Sequence, residues 1–226
     1  MPESPTTEKP RVGIVGGDGI GPEVIAQGLD VIAAAGVELD TVEYDLGGAR
    51  YLNDGTVLPD SVLDDWRGLD AIYLGAVGAP DVPPGVIERG LLLKMRFELD
   101  LYINHRPFKL AASDDQPGHD FVVIRENTEG TYAGEGGFLR KGTPQEIATQ
   151  GSVNTRMGAE RAVRYAFELA SERSNHLTLV HKTNVLTFSG DLWERAFNEV
   201  GADYPEVEKD VAIVDAFTQW LIGQPE

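Results

Sequence analysis

Cysteine is absent from all 226 residues, which excludes disulfides, thiol nucleophiles and cysteine-based zinc sites, and removes any pointer to an oxidising compartment. Lysine is scarce: 6 of the 19 basic residues, set against 37 acidic ones for a formal charge of -18. Such a balance repels nucleic acid and anionic membrane, because phosphate binding needs a cationic face. It describes a well-solvated acidic surface, with adaptation to high salt as the alternative. An anionic substrate would have to be captured by a few local arginines against the overall field. No apolar run approaches the roughly 18 residues of a membrane span. The opening MPESPTTEKP lacks an apolar signal core, so a cytoplasmic protein is the default expectation.

What is present is ordinary for a globular chain: 42% hydrophobic residues, 26 glycines and 13 prolines, enough to bury a core in one or two domains. After a loose tail over residues 1–10, RVGIVGG, DGIG and PEVIAQGLDVIAAAG read as strand, glycine turn and helix. Pro22 suits the first helical turn, Ile25, Leu29 and Ile32 form a stripe at helical spacing, and Gly36 is a stop. VELDTVEYDLGG alternates like a half-buried strand, DSVLDDWRG reads as a short helix, and DAIYLGAVG as a buried strand opening into a glycine loop. FVVI, LTLVHK and VAIV are further strands; MGAERAVRYAFELA and SGDLWERAFNEV are helices, the second with Ser189 as N-cap and Gly201 as stop. Strand and helix alternating in this way predict an α/β fold with a substantially parallel sheet. Residues 138–155 are polar and aperiodic, a long loop or extended arm of the kind that packs on a partner, and 111–120 reads as an exposed loop.

The phrase GGDGIGPE resembles a dinucleotide fingerprint but puts Pro22 where the third glycine belongs, which favours a tight structural turn over a phosphate cradle. The wider run GDGIGPE, followed in order by ERGLLLKMRFELD, NHRP, IRENTEGTYAGEGG, HKTNVL and VDA, resembles the isocitrate/isopropylmalate dehydrogenase family of β-decarboxylating dehydrogenases over essentially all of residues 11–220. The resemblance implies that family's mixed sheet flanked by helices, not a Rossmann fold. It further implies a cofactor-side domain beginning in 1–100, a substrate and dimerisation domain in 101–226 with an arm near 138–155, and oxidation by NAD with Mg²⁺ or Mn²⁺.

Residue roles follow from the same resemblance. Arg96, Arg106 and Arg125 clamp the substrate carboxylates, a task for which planar, permanently charged guanidinium groups suit where Lys does not. Tyr132, flanked by glycines, protonates the carbon left after CO₂ departs. Lys182, at the end of a strand, assists removal of the hydroxyl proton, and Asn184 lies against the nicotinamide ribose. Asp215 is the metal ligand, although on spacing alone a strand-end Asp is more often a helix cap. Leu91 and Leu92 face the substrate's side group, Glu88 sits at the junction with the cofactor, and Gly75 and Ala76 line its pocket. An apolar wall suits an isopropyl group, so ERGLLLKMR and HKTNVL favour 3-isopropylmalate and leucine biosynthesis over D-malate or tartrate. The same leucines also fit an ordinary amphipathic helix. Lys182 and Asp215 would be shared across a homodimer.

Eleven residues follow Asp215, and the DNLFGD-like and GSAPDIAG-like phrases of the family occur nowhere in the chain. The expectation is a C-terminally truncated chain that alone is not a competent dehydrogenase. A non-catalytic subunit is the reading from another class.

Overall fold

The computed structural model describes residues 9–111 and 118–223, so most of the expected tail and of the loop at 111–120 lies outside the described residues. The chain divides into two compact units, Met1–Asp100 and Leu101–Glu226.

In the first unit β1 (Arg11–Val15) leads through a glycine turn into α1 (Gly21–Ala34), followed by β2 (Asp40–Glu43), α2 (Gly48–Asp54), α3 (Asp60–Trp66) and β3 (Ala71–Leu74). The three strands are parallel in the order β2-β1-β3, as the strand-helix alternation predicted. The central strand is an apolar run because both of its faces are covered. Val12 and Ile14 pack with Ile25 of α1, whereas Val15 packs with Leu63 and Trp66 of α3. Pro22 occupies the first turn of α1, and Gly36, at φ 80°, takes the left-handed conformation just beyond its end, a position where a side chain would be strained. A π-helical turn, Glu88–Leu93, then runs without a break into α4 (Lys94–Glu98) and sends Ile87, Leu91 and Met95 into the same core as Val15.

The glycine turn between β1 and α1 is a structural knot. Gly17 (φ 75°) has room only for hydrogen, since a Cβ there would lie 2.1 Å from the Ala76 carbonyl oxygen. Asp18, nearly buried, donates its backbone N–H to that carbonyl at 2.7 Å. Its carboxylate accepts from the Gly48 N–H at 2.7 Å, the Gly78 N–H at 2.9 Å and the Ala49 N–H at 3.0 Å. One side chain therefore caps the start of α2 from thirty residues away and ties the Gly75–Gly78 loop to the turn. These amides are spent on a protein carboxylate, which agrees with the reading of GGDGIGPE as a tight turn.

In the second unit β4 (Ile103–Leu110) and β5 (His119–Glu126) pair antiparallel, then β6 (Gly136–Leu139) and β7 (Ile147–Gln150) form an exposed antiparallel hairpin. α5 (Arg156–Ser171), β8 (His176–His181), α6 (Thr187–Val200), β9 (Glu208–Ile213) and α7 (Val214–Gly223) follow, with β8 and β9 parallel. The core sits between α5 and α6, where Phe167, fully buried, lies 5.2 Å from Phe197 and 5.3 Å from Tyr204, ring centre to ring centre. The polar segment 138–155 is thus paired backbone at both ends, not a structureless loop. Ser189 is also not an N-cap: α6 begins at Thr187, and the Ser189 hydroxyl donates to the Leu186 carbonyl from inside the first turn. Gly201 does end α6, but in right-handed conformation (φ -64°), so the chain tightens into a 3₁₀ turn over Gly201–Asp203. Among the described residues no helix is long and apolar enough to cross a membrane.

Burial raises the Asp18 carboxyl, and the amides of Gly48, Gly78 and Ala49 more than offset it, so its pKa falls below the ordinary value. A carboxyl that titrates lower folded than unfolded contributes stability that is complete above the unfolded value of about 4 and fades as pH drops through the folded one. Asp18→Ala, which leaves three amides without an acceptor, is expected to cost about 3 kcal/mol in urea unfolding at neutral pH, with the difference shrinking in acid. A cost under about 0.5 kcal/mol would show that the knot does not hold the unit together.

Candidate functional site

The pairing of β4 with β5 decides where two of the expected arginines go. Asn104 lies opposite Arg125 and Arg106 opposite Val123. Directly opposed residues share a face, as do residues two apart on one strand. Arg106 and Arg125 therefore stand on one face as diagonal neighbours, with Asn104 between them. The other face carries His105, whose Nδ1 lies 3.1 Å from the Tyr165 hydroxyl of α5, so the arginine face is the one turned away from that helix. Pro107, which has no N–H to donate, is tolerated because β5 is the only strand paired with β4 among the described residues. Arg106 is exposed, with its Nε–H donating to Asn104 Oδ1 at 2.9 Å.

Tyr132 belongs to a 3₁₀ turn, Thr131–Ala133, held between Gly130 and Gly134, both at positive φ. The turn lays its ring, 41% exposed, under Arg125, with the guanidinium carbon 5.0 Å from the ring centre, in reach for a cation-π attraction. The acidic residues of RENTEG serve the scaffold. Glu126 accepts from the backbone of Thr128 at 2.9 Å and of Glu129 at 2.7 Å, while Glu129 accepts from the Thr155 N–H at 2.7 Å, at the N-cap of α5. Asn127, buried, donates to the Leu101 carbonyl at 3.0 Å. None of these three stood out in the sequence, although a carboxylate followed two or three residues later by Thr or a free N–H is a turn-making pattern.

Lys182 and Asp215 meet at the ends of the other strand pair. His181 is in register with Ile213, so the residues just beyond leave side by side at the carboxyl ends of parallel strands, where α/β sheets collect ligands. The Lys182 ammonium donates to the Asp215 carboxylate. Asp215 also sits in the first turn of α7, where negative charge suits the helix dipole, so the helix-start reading and the ligand reading hold together. Beyond Lys182 the chain makes an exposed turn: Asn184, Val185 and Leu186 face solvent, and Phe188 is 92% exposed.

The remaining candidates lie in the first unit. Arg96 is half-buried on α4, and Glu88 is exposed, with Oε2 accepting from the Gly85 N–H at 2.9 Å. Leu91 requires correction: it is 0% exposed and part of the core, so it offers a substrate no surface, and Leu92, half-buried, is the leucine left to do so. Gly75 and Ala76 are packed on the glycine turn, where a Cβ on Gly75 would lie 2.2 Å from the Gly16 carbonyl oxygen.

The isocitrate/isopropylmalate dehydrogenase family matches residues 11–226. A curated 3-isopropylmalate dehydrogenase of Thermobifida fusca is 55% identical over 227 residues, 95% of this chain and 64% of the relative. The chain thus spans somewhat under two thirds of that relative's length. Among solved structures, an isocitrate dehydrogenase from Methylococcus capsulatus aligns with a TM-score of 0.85 at 34% identity, over 95% of this chain and 63% of that one. A β-decarboxylating dehydrogenase from Thermococcus kodakarensis aligns with a TM-score of 0.72 at 36% identity, over 95% and 61%.

The Lys182 hydrogen bond, above the smaller opposing effect of desolvation, holds the Asp215 carboxyl below its ordinary pKa. The pairing contributes above the unfolded carboxyl value and is lost as pH falls through the folded one. Lys182→Met is expected to return Asp215 to the ordinary range in a carboxyl-carbon NMR titration. An unmoved titration would mean that the two side chains do not meet in solution.

Proposed function

The chain belongs to the isocitrate/isopropylmalate dehydrogenase family, and from that premise we propose that it forms the substrate-gripping part of an NAD-dependent enzyme of leucine biosynthesis that oxidises and decarboxylates (2R,3S)-3-isopropylmalate to 2-oxoisocaproate. The observation that carries this reading is the array of Arg106 and Arg125 on one face of the β4–β5 pair with the Tyr132 ring beneath Arg125. Two fixed cations with a phenol beside them suit a dicarboxylate that must receive a proton where it loses CO₂.

The guanidinium groups of Arg106 and Arg125, with that of Arg96, hold the two carboxylates. When bound, NAD supplies the nicotinamide that accepts hydride from C2, and Glu88 and Asn184 carry exposed polar groups of the kind a ribose hydroxyl takes. Lys182 Nζ, as the neutral amine after releasing its own proton to water, takes up the hydroxyl proton, and with hydride gone from C2 a 2-oxo acid is left. Its β-carboxylate departs as CO₂, the bonding electrons become an enolate, and the Tyr132 hydroxyl protonates C3. Leu92 forms the apolar wall against the isopropyl group, where one missing branch is worth about 1–3 kcal/mol.

A hard cation such as Mg²⁺ or Mn²⁺ wants about six oxygens in near-octahedral array. Asp215 offers one carboxylate, already paired with Lys182, and among the described residues no three His, Cys, Asp or Glu side chains gather into a metal site. The residues in hand do not complete a cation site. A second copy of the chain is the partner this reading calls for: the β6–β7 hairpin exposes the opposed Leu139 and Ile147 on one face and Phe138 on the other, apolar groups that a homodimer would cover.

Calorimetric titration of the purified chain tests the reading. 3-Isopropylmalate is expected to bind more tightly than D-malate, and Arg106→Gln and Arg125→Gln are each expected to weaken both acids by about 10- to 100-fold. Unchanged affinity in both variants, with the fold intact by circular dichroism, would sink it.

A further inference from the structure

The helical segment from Glu88 to Arg96 is not a regular α-helix throughout, since a π turn precedes α4, and the departure follows a simple rule of phase. The Arg89 N–H donates to the Gly85 carbonyl four residues back, but the Lys94 N–H reaches the Arg89 carbonyl five back. Below Lys94 the four-residue pattern resumes, with the Leu99 N–H on the Met95 carbonyl. One residue more than an α-helix holds is therefore accommodated between Glu88 and Lys94, which is how π turns enter helices.

The buried stripe requires it. Ile87, Leu91 and Met95 are core residues, and Leu99 packs against them, a spacing of four, four and four. Each α-helical residue advances about 100°, so twelve residues on a regular helix would carry Leu99 about 120° away from Ile87. Absorbing one residue reduces the mismatch to about 20°. The residues one step on, Glu88, Leu92 and Arg96, share this spacing. On a regular helix Arg96 would lie about 80° round from Glu88, and with one residue absorbed it falls within about 20°. A carboxylate, an apolar side chain and a guanidinium are thus drawn into one line beside the core stripe. Leu93 is the surplus residue by its position: it closes the π turn and lies on neither the Ile87, Leu91, Met95 and Leu99 stripe nor the Glu88, Leu92 and Arg96 line.

We propose that the π turn is a positioning element: by taking up Leu93 it keeps Leu92 and Arg96 in register as one recognition strip for a hydroxy dicarboxylate with a branched apolar substituent, and holds Glu88 in line with them for the cofactor's ribose. The proposal rests on the functional reading above for the identity of the ligand, and on the buried stripe alone for the phase. Its consequence is counterintuitive. Deleting Leu93 turns the spacing of the core stripe into four, three and four and that of the Glu88, Leu92 and Arg96 line into four and three, which a plain α-helix satisfies, so a shortened site helix keeps its alignment. Lengthening the helix by one residue breaks it.

The test compares the parent chain, a Leu93 deletion and a variant with one alanine inserted after Leu93, each by thermal unfolding and by calorimetric titration with 3-isopropylmalate and D-malate. The deletion is expected to melt no lower than the parent and to keep its preference between the two acids within about threefold. The insertion is expected to melt lower, because Met95 is turned out of the core, and to weaken both acids at least about tenfold. A deletion that unfolds the chain, or that stays folded and loses the preference, overturns the proposal, as does an insertion that behaves like the parent. A folded parent that binds neither acid overturns the functional reading and the recognition role with it. That outcome is distinct from a parent that discriminates while the insertion discriminates equally well.

Discussion

The opposition of Asn104 to Arg125 across the β4–β5 pair sets what this chain can present to an anion. Side chains alternate along a strand, so a slip of one residue would exchange the faces, turning one arginine toward α5 and out of line with the other. The pairing is held along its length by the stacked rings of Phe108 and Phe121, 5.0 Å apart, and at its end by Asn127, whose backbone N–H donates to the Tyr102 carbonyl at 3.0 Å. In a molecule of charge -18, a substrate anion gains nothing from the overall field. Local pairing geometry is what makes a cationic patch here.

The same logic of phase recurs elsewhere at different scales. Register between β8 and β9 sets Lys182 beside Asp215. An extra residue absorbed in a π turn sets Glu88, Leu92 and Arg96 in line. In the glycine turn, the Asp18 carboxylate gathers three backbone amides from two separate segments. In each case the chemistry-bearing side chain is positioned by backbone periodicity or by backbone hydrogen bonds, which are stiff, and not by contacts among long charged side chains, which are not.

The sequence disclosed those elements whose burial leaves a periodic mark. The run RVGIV, buried on both faces, and the stripes of α1, α5 and α6 were legible, as was the parallel arrangement in the first unit. The β4 strand was not, because INHRPFKL mixes charge, proline and aromatics without alternation, a pattern proper to a strand paired on one side. The β6–β7 hairpin left no mark since both of its faces meet solvent. Leu91 and Leu92 could not be separated by type, and the repeat of four from Ile87 to Leu99 was the overlooked clue to which of them is buried. Ser189 misled because the turn after Lys182 starts α6 earlier than a capping side chain would.

The most direct measurement of the central claim is a crystal structure of the chain with 3-isopropylmalate. The account predicts a ligand carboxylate about 3 Å from the guanidinium groups of both Arg106 and Arg125, on the face of the β4–β5 pair turned away from α5. An acid bound on the His105 face, or anywhere that leaves both guanidinium groups in solvent, would contradict it.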